Sequence, residues 1–278
     1  MCSVLQVARS GFYDWLRRHE TPPTPTEQKR HERQQLVETV FKENKCIYGY
    51  RKVHAVLRKR GNTYSLNTIH ADCKRLGIKS ITKKKHRVRT TDSTHDLPIA
   101  TNVLSRDFKA EKPNEKWVTD ITYVDTLEGW LYLVAIIDLF SRKVIGYAMA
   151  DNMKTELVVD ALQMAIGRGR NMVSNVWLHS DRGVQFSSAM FREILHLVGI
   201  GQSMSRKGDC WDNAPCESWF GKLKTEWIYP KGVYATREAA ELSIIEYIEM
   251  FYNSQRLHQS LDYRTPNEVE RECVCAYR

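Results

Sequence analysis

Three acidic residues stand where their neighbours could gather them into one site. Asp120 lies in KWVTDITYV, where Trp117, Val118, Ile121, Tyr123 and Val124 give the run strand composition. Asp181 follows the short apolar run Val176-Trp177-Leu178 and precedes Gly183, a position where a strand opens into a loop. Glu217 falls in a segment carrying Trp219, Phe220, Leu223 and Trp227 at helical spacing. Two carboxylates from strands and one from a helix make an oxygen-rich site for hard divalent cations, Mg2+ or Mn2+. A pair of such cations activates an attacking oxygen and stabilises a leaving oxygen in phosphodiester chemistry, so two ions per site are expected.

Other polar residues nearby have plainer readings. Asp138 ends an apolar strand just before Ser141-Arg142 and is expected to cap that turn; Asp125 and Asp212 are expected in turns or caps. His179, two residues before Asp181, fits the edge of the site and fits a packed, hydrogen-bonded histidine equally well. Arg182 suits a phosphate clamp or a solvated surface. Asn253, Arg256 and His258 suit DNA contact or stabilisation of the tail.

The elements that must position the acids begin at Lys116. KWVTDITYVDT, GWLYLVAIIDLFSR and KVIGYAMA read as three consecutive strands, the second nearly all apolar as a central strand should be. A helix is expected over Thr155 to Gly167, a strand at NVWLHS, a helix capped by Ser187 or Ser188 and running to Val198, and a short strand at IGQSM. A helix from near Asn213 then carries Glu217. This order predicts an α/β layered domain. A further amphipathic helix over Arg237 to Tyr252 and a turn-rich tail, NSQRLHQSLDYRTPNEVE, close the chain.

The front of the chain has a different character. The 278 residues carry a net charge of +9, but residues 1–112 hold 24 Lys+Arg against 11 Asp+Glu, and residues 113–278 hold 18 against 22. A basic front and a mildly acidic back suggest a polyanion-binding module joined to something else. A short helical piece over residues 1–20 is followed by TPPTPT, which reads as a linker. Three helices follow: one from Glu27 with Leu36, Val37, Val40 and Phe41 inward, one from Tyr50 to Gly61, and one capped by Ser65 with Leu66, Ile69, Cys73 and Leu76 inward. In a basic setting this suits a helix-turn-helix whose third helix offers Asn67, Thr68, His70, Ala71, Lys74 and Arg75 to a groove. The cluster Lys83, Lys84, Lys85, Arg87 and Arg89 suits phosphate contact without base specificity.

The expected divisions are a helical segment and linker (1–26), a helix-turn-helix-like domain (27–80), a basic linker (81–112), a catalytic core (113–230) and a C-terminal helix and tail (231–278) that completes the core. With 42% hydrophobic residues a folded globular protein is expected; there is no apolar run of eighteen residues, and no secretory leader is expected. Seven scattered cysteines without CxxC pairing favour reduced thiols in a cytoplasm over disulfides; Cys273-Val-Cys275 is the one weak pointer to zinc.

At this point the motifs resemble a known family. YGYRKVHAVLRKRG with NTIHADCKRLGIKS, then WVTDITYV, IIDLFSRKVIGY, LHSDRGVQF, DNAPCESWFGKLKTE and YNSQRLHQSLDYRTPNEV are similar to the catalytic reading-frame product of insertion-sequence transposases of the "IS three" group. The resemblance runs from about residue 40 to 270. It implies an RNase H-like core of the retroviral-integrase kind behind a helix-turn-helix domain. It also implies an acidic triad at Asp120, Asp181 and Glu217, with a basic DNA contact at Lys224; Lys222 and Arg182 are read as further contacts. Lys224 stands seven residues after Glu217, close to two helical turns or roughly 10 Å along one face. Cys216 replaces the larger apolar residue expected before the glutamate, which predicts sensitivity to thiol reagents.

The expected activity is a DNA transposase that nicks element ends with metal-activated water and then joins the freed 3′-hydroxyl to another phosphodiester. The implied partners are terminal inverted repeats and target DNA, a second copy of the chain on DNA, and an upstream-frame protein or a fusion with it; no membrane is expected. Two rivals remain open on the residues alone, a nuclease that cuts without joining and a DNA-binding regulator that uses only residues 27–80.

Overall fold

The computed structural model describes residues 6–20, 22–82, 97–168, 175–207 and 209–276. Lys83, Lys84 and Lys85, with Arg87 and Arg89, lie outside the described residues. The chain divides into two compact units, Met1–Ser80 and Ile81–Arg278. No helix among the described residues is long and apolar enough to cross a membrane.

The first unit holds helices α1 (Arg9–Glu20), α2 (Pro25–Glu43), α3 (Tyr50–Lys59) and α4 (Leu66–Arg75). Helix α2 starts two residues before the expected Glu27, and the cause is local. The Thr24 hydroxyl accepts from the Glu27 amide at 3.3 Å while the Thr24 amide donates to the Glu27 carboxylate at 2.9 Å. Pro25 then sits where its missing N–H costs nothing, so the end of TPPTPT is a helix start rather than a linker. Val37, Val40, Val53, Leu57, Ile69 and Cys73 form the core of this unit. Leu36, Leu66 and Leu76, expected inward, are each more than a third exposed, because the buried stripe of α4 is taken by Ile69, Asp72 and Cys73. Asp72 is fully buried and accepts from Arg33 Nε at 2.5 Å and Gln34 Nε2 at 3.2 Å.

The second unit is built on a five-stranded sheet: β1 (Lys116–Thr126), β2 (Gly129–Asp138), β3 (Val144–Ala150), β4 (Trp177–Ser180) and β5 (Gly201–Met204). The order is β3-β2-β1-β4-β5; β1, β2 and β3 pair antiparallel, whereas β4 runs parallel to both β1 and β5. The two hairpins expected from the sequence put β1 at the centre, and the crossover through α5 (Thr155–Arg168) brings β4 back beside it. Helix α5 lies flush on β3: a Cβ on Gly146 would meet the Ala161 carbonyl at 2.3 Å, so glycine alone fits there. After β4 come α6 (Val184–Ser187) and α7 (Ala189–Leu197), the latter capped by Ser188. Trp117 and Ile121 of β1 pack with α5 and α7 on one face, together with Leu162, Phe191 and Leu195.

By strand alternation Val118, Asp120 and Thr122 face the opposite layer. That layer contains α8 (Ala214–Leu223), a π-helical continuation over Lys224–Ile228, the short turn α9 (Tyr229–Lys231), α10 (Arg237–Ile245) and a second π-helical stretch over Glu246–Tyr252. The segment expected as a turn-rich tail is tied down and ends in a helix, α11 (Pro266–Ala276). Its start is a capping box: the Thr265 amide donates to Glu268 at 2.7 Å and the Glu268 amide to the Thr265 hydroxyl at 3.2 Å. Residues 97–107 also pack on this unit, with the Val103 and Leu104 amides donating to the Ser203 hydroxyl of β5 at 2.9 and 3.3 Å. This covers the edge of the sheet.

Candidate active site

Asp120 is carried by the central strand. The parallel register pairs Trp117 with Leu178 and Val118 with His179; carried two residues further, it sets Asp181 beside Asp120 where β4 ends. Glu217 lies in the first turn of α8, where the helix dipole favours a negative charge. Asn213, the residue before α8, donates from its side-chain amide to the Thr119 carbonyl at 3.0 Å. One bond thus links the helix bearing Glu217 to the residue next to Asp120.

The three carboxylates share one electrostatic field. Burial pushes the Asp120 carboxyl well above the usual range, the Asp181 and Glu217 charges push it further, and Lys224 opposes them. Asp120 accepts from the adjacent Ile121 amide at 2.8 Å. Asp181 accepts from the Gly183 amide at 2.9 Å. Lys224 holds its ammonium 4.6 Å from the centre of the Tyr123 ring, on the strand that carries Asp120. The donor set suits a hard cation, whose charge would relieve this mutual repulsion. Among the described residues, however, no group of three or more His, Cys, Asp or Glu side chains is closed to metal-holding distance.

Cys216 corrects an expectation. It is fully buried, and burial followed by the three neighbouring carboxylates raises its thiol well above the ordinary value. A shielded, protonated thiol does not meet reagents, whatever its place in the chain.

The other singled-out residues fall into place around this centre. Asp138 caps its turn as expected, accepting from the Ser141 amide and hydroxyl at 2.8 and 2.7 Å. His179 is buried, with its ring nitrogens 2.9 and 3.1 Å from the hydroxyls of Ser203 and Ser205, and burial lowers it to about 4; it packs rather than lines the site. Arg182 donates from Nε to the Ser205 carbonyl at 2.7 Å, tying the exits of β4 and β5 together. Asp125 is an exposed strand residue rather than a turn. Asp212 is more than a turn residue: fully buried, it accepts from Arg106 Nε at 3.0 Å, from Arg206 Nη2 at 2.8 Å and from Asn102 Nδ2 at 2.8 Å. The loop before Glu217 is therefore clamped from two sides. Sequence spacing held no signal for its far side, because Asn102 and Arg106 lie more than a hundred residues before Asp212.

The C-terminal trio is structural. Asn253 accepts from the Val144 amide and donates to its carbonyl, both at 3.0 Å. Arg256 forms a two-pronged buried pair with Glu226, Nη2–Oε1 2.5 Å and Nε–Oε2 2.7 Å. His258 is buried against the Tyr252 ring, centroids 4.9 Å apart. Lys222 is half-buried, and by helical geometry it lies on the side of α8 away from Glu217 and Lys224. In the first unit Asn67, His70, Lys74 and Arg75 are exposed on α4. Thr68 is half-buried, its hydroxyl 2.9 Å from that of the cap Ser65.

Comparison with known proteins gives the family. Profiles described as "Integrase core domain" match residues 110–210 and 198–266, and one described as "HTH-like domain" matches residues 27–86. Transposase InsF for insertion sequence IS3A of Escherichia coli (strain K12) is 39% identical over 272 residues, 98% of this chain and 93% of that protein. The chain belongs to this transposase family. Its enzymes are polynucleotidyl transferases of DNA transposition and integration. A 31 kDa protein of insertion element IS600 from Shigella sonnei is 38% identical over 266 residues, 96% of each chain. Among solved structures, the HTLV-2 integrase catalytic core domain in complex with magnesium is 16% identical, covering 58% of this chain and 99% of that one with a TM-score of 0.41. The mixed sheet and the helical N-terminal domain are those of an integrase core preceded by an HTH-like domain.

Proposed function

We propose that Asp120, Asp181 and Glu217 are the catalytic carboxylates with which this member of the family cleaves and joins DNA. The observation that supports this most directly is the shared field of three carboxylates, from a strand, the exit of another and a helix, in which the Asp120 carboxyl is raised by both of the others. Carboxylates that repel one another are stable together only when protonated or when a cation lies between them. All three would hold Mg2+ or Mn2+, one or two ions, closing from their present spacing. Bound there, divalent cations supply activation of the attacking oxygen and stabilisation of the leaving oxygen.

The remaining steps belong to the chain. Lys224 meets a phosphate of the DNA end, its ammonium standing over the Tyr123 ring. Water attacks the end phosphodiester: one P–O bond forms, the bond to the 3′-oxygen breaks, and a 3′-hydroxyl and a 5′-phosphate result. That hydroxyl then attacks a second phosphodiester in the same sense, without a covalent protein intermediate. Asn67, Lys74 and Arg75 on α4 supply groove and backbone contacts to terminal repeats. Joining two ends needs a second copy on the DNA, and an upstream-frame protein, separate or fused, would complete end recognition. The place of action is the cytoplasm, where the DNA lies.

The test uses end-labelled DNA from the element's own termini with Mg2+ or Mn2+, wild type beside Glu217→Gln. Metal-dependent nicks and joined products, both lost in the variant, support the reading. Nicks without joining would favour a nuclease or a missing partner, and binding without cleavage in either protein would sink the catalytic reading.

A further inference from the structure

Behind α8 lies a second feature that the carboxylate site does not use. Pro215, Ser218, Trp219 and Lys222 share one side of the helix, roughly 140° around from Glu217 and Gly221 at 3.6 residues per turn. On that side is a cavity of about 200 Å3, walled by Arg142, Ser218, Trp219, Lys222, His258 and Ser260. Ser218 and Ser260 are exposed, so it opens to solvent at their rim.

The lining is cationic, and its counter-charges are spent elsewhere. Among the described residues neither the Arg142 guanidinium nor the Lys222 ammonium makes an ion pair or a side-chain hydrogen bond. The carboxylates whose charge reaches them are Asp138 and Glu226. Asp138 already accepts three bonds, from Ser141 and the Asn114 amide, and Glu226 is gripped by Arg256. Burial, and after it the positive charge of Arg256, holds Lys222 below its ordinary value. Half-buried cations without an anion are costly unless an oxyanion completes them.

We propose that this cavity is a phosphate-binding site, taking one phosphate group between Arg142 and Lys222 with the rim hydroxyls as further donors. It stands apart from the catalytic carboxylates and goes beyond the cleavage reading. A DNA strand lying across the outer face of α8 would present such a group; free phosphate is the other source, and one experiment separates them.

The full chain is studied in EDTA, so that no cleavage occurs and failure of the catalytic reading leaves the result untouched. Lys222 acetylation is followed by mass spectrometry with nonspecific duplex DNA or with inorganic phosphate against a chloride control of equal ionic strength. In parallel, duplex affinity is measured against salt for wild type, Lys222→Gln and Ser260→Asp, the last placing a resident carboxylate at the rim without touching the core. A backbone site predicts protection of Lys222 by duplex and a slope of log K against log salt shallower by about 1 in both variants. Protection by millimolar phosphate with unchanged duplex slopes assigns the site to free phosphate. Equal acetylation in all arms with unchanged slopes overturns the proposal.

Discussion

The Asn213 side-chain amide and the Thr119 carbonyl, 3.0 Å apart, join the start of α8 to the centre of the sheet. Both residues are buried, and the bond lies one residue from Asp120 and four from Glu217. Asn213→Ala leaves a buried carbonyl short of its donor, a cost of about 1–3 kcal/mol. It also lets Glu217 drift, and misplacement near 1 Å costs on the order of 100-fold in rate. Single-turnover cleavage should therefore fall far more than melting temperature does. Unchanged turnover in a folded variant would show that the bond does not position the site.

Cation binding should be visible without any DNA. At free Mg2+ or Mn2+ a hundred times the dissociation constant, wild type should gain about 2.7 kcal/mol of stability. Asp181→Asn and Glu217→Gln should lose most of that gain and more than the roughly 100-fold in activity that loss of an outer-shell partner costs. Differential scanning calorimetry with and without metal decides it; equal shifts in all three proteins would place the ion elsewhere.

Asp212 makes an acid-side prediction. The hydrogen bonds from Arg206, and those from Arg106, hold its carboxyl well below the ordinary value despite its burial. A depressed carboxylate stabilises the fold above its unfolded value, near pH 4, and that contribution is lost as pH falls through the lower folded value. Asp212→Asn should cost about 2–4 kcal/mol at neutral pH and flatten the stability profile below about pH 4. Urea midpoints measured from pH 7 down to pH 2 test this; parallel curves for the two proteins would contradict it.

Cys216 should be silent. In the native chain a maleimide should leave it unlabelled over hours, with or without metal, while unfolding in guanidinium should expose it fully. Peptide mapping reads the outcome, and rapid native labelling would mean that α8 opens away from β1.

Much of this was legible in the chain itself. The strands around Asp120 and Asp181 announce themselves through composition, and the helix of Glu217 through aromatic spacing, because local preference and tertiary need agree there. The start of α11 was readable too: Thr265 followed three residues later by Glu268 is a capping signature, masked by the turn-forming residues before it. What could not be read is long-range pairing. Nothing local in Arg106 points to Asp212, and nothing in Arg256 points to Glu226; a guanidinium that grips phosphate and one that grips a buried carboxylate have the same sequence. Exposure of Leu66 and Leu76 was hidden for a related reason, since periodicity marks the inward face of a helix but not how much of it a small domain can cover.

The Glu226–Arg256 pair reaches across 30 residues of chain, and this sets an order of events at the ribosome. Units fold as they emerge, the N-terminal one first. The helices of the first unit are complete once residue 75 is out, whereas the continuation of the Glu217 helix gains its buried partner only after residue 256. A nascent or truncated chain therefore completes the helices of its first unit long before the proposed catalytic centre is locked. A chain ended near residue 240 should occupy DNA ends without nicking them, and so compete with the full-length product in a mixed cleavage reaction.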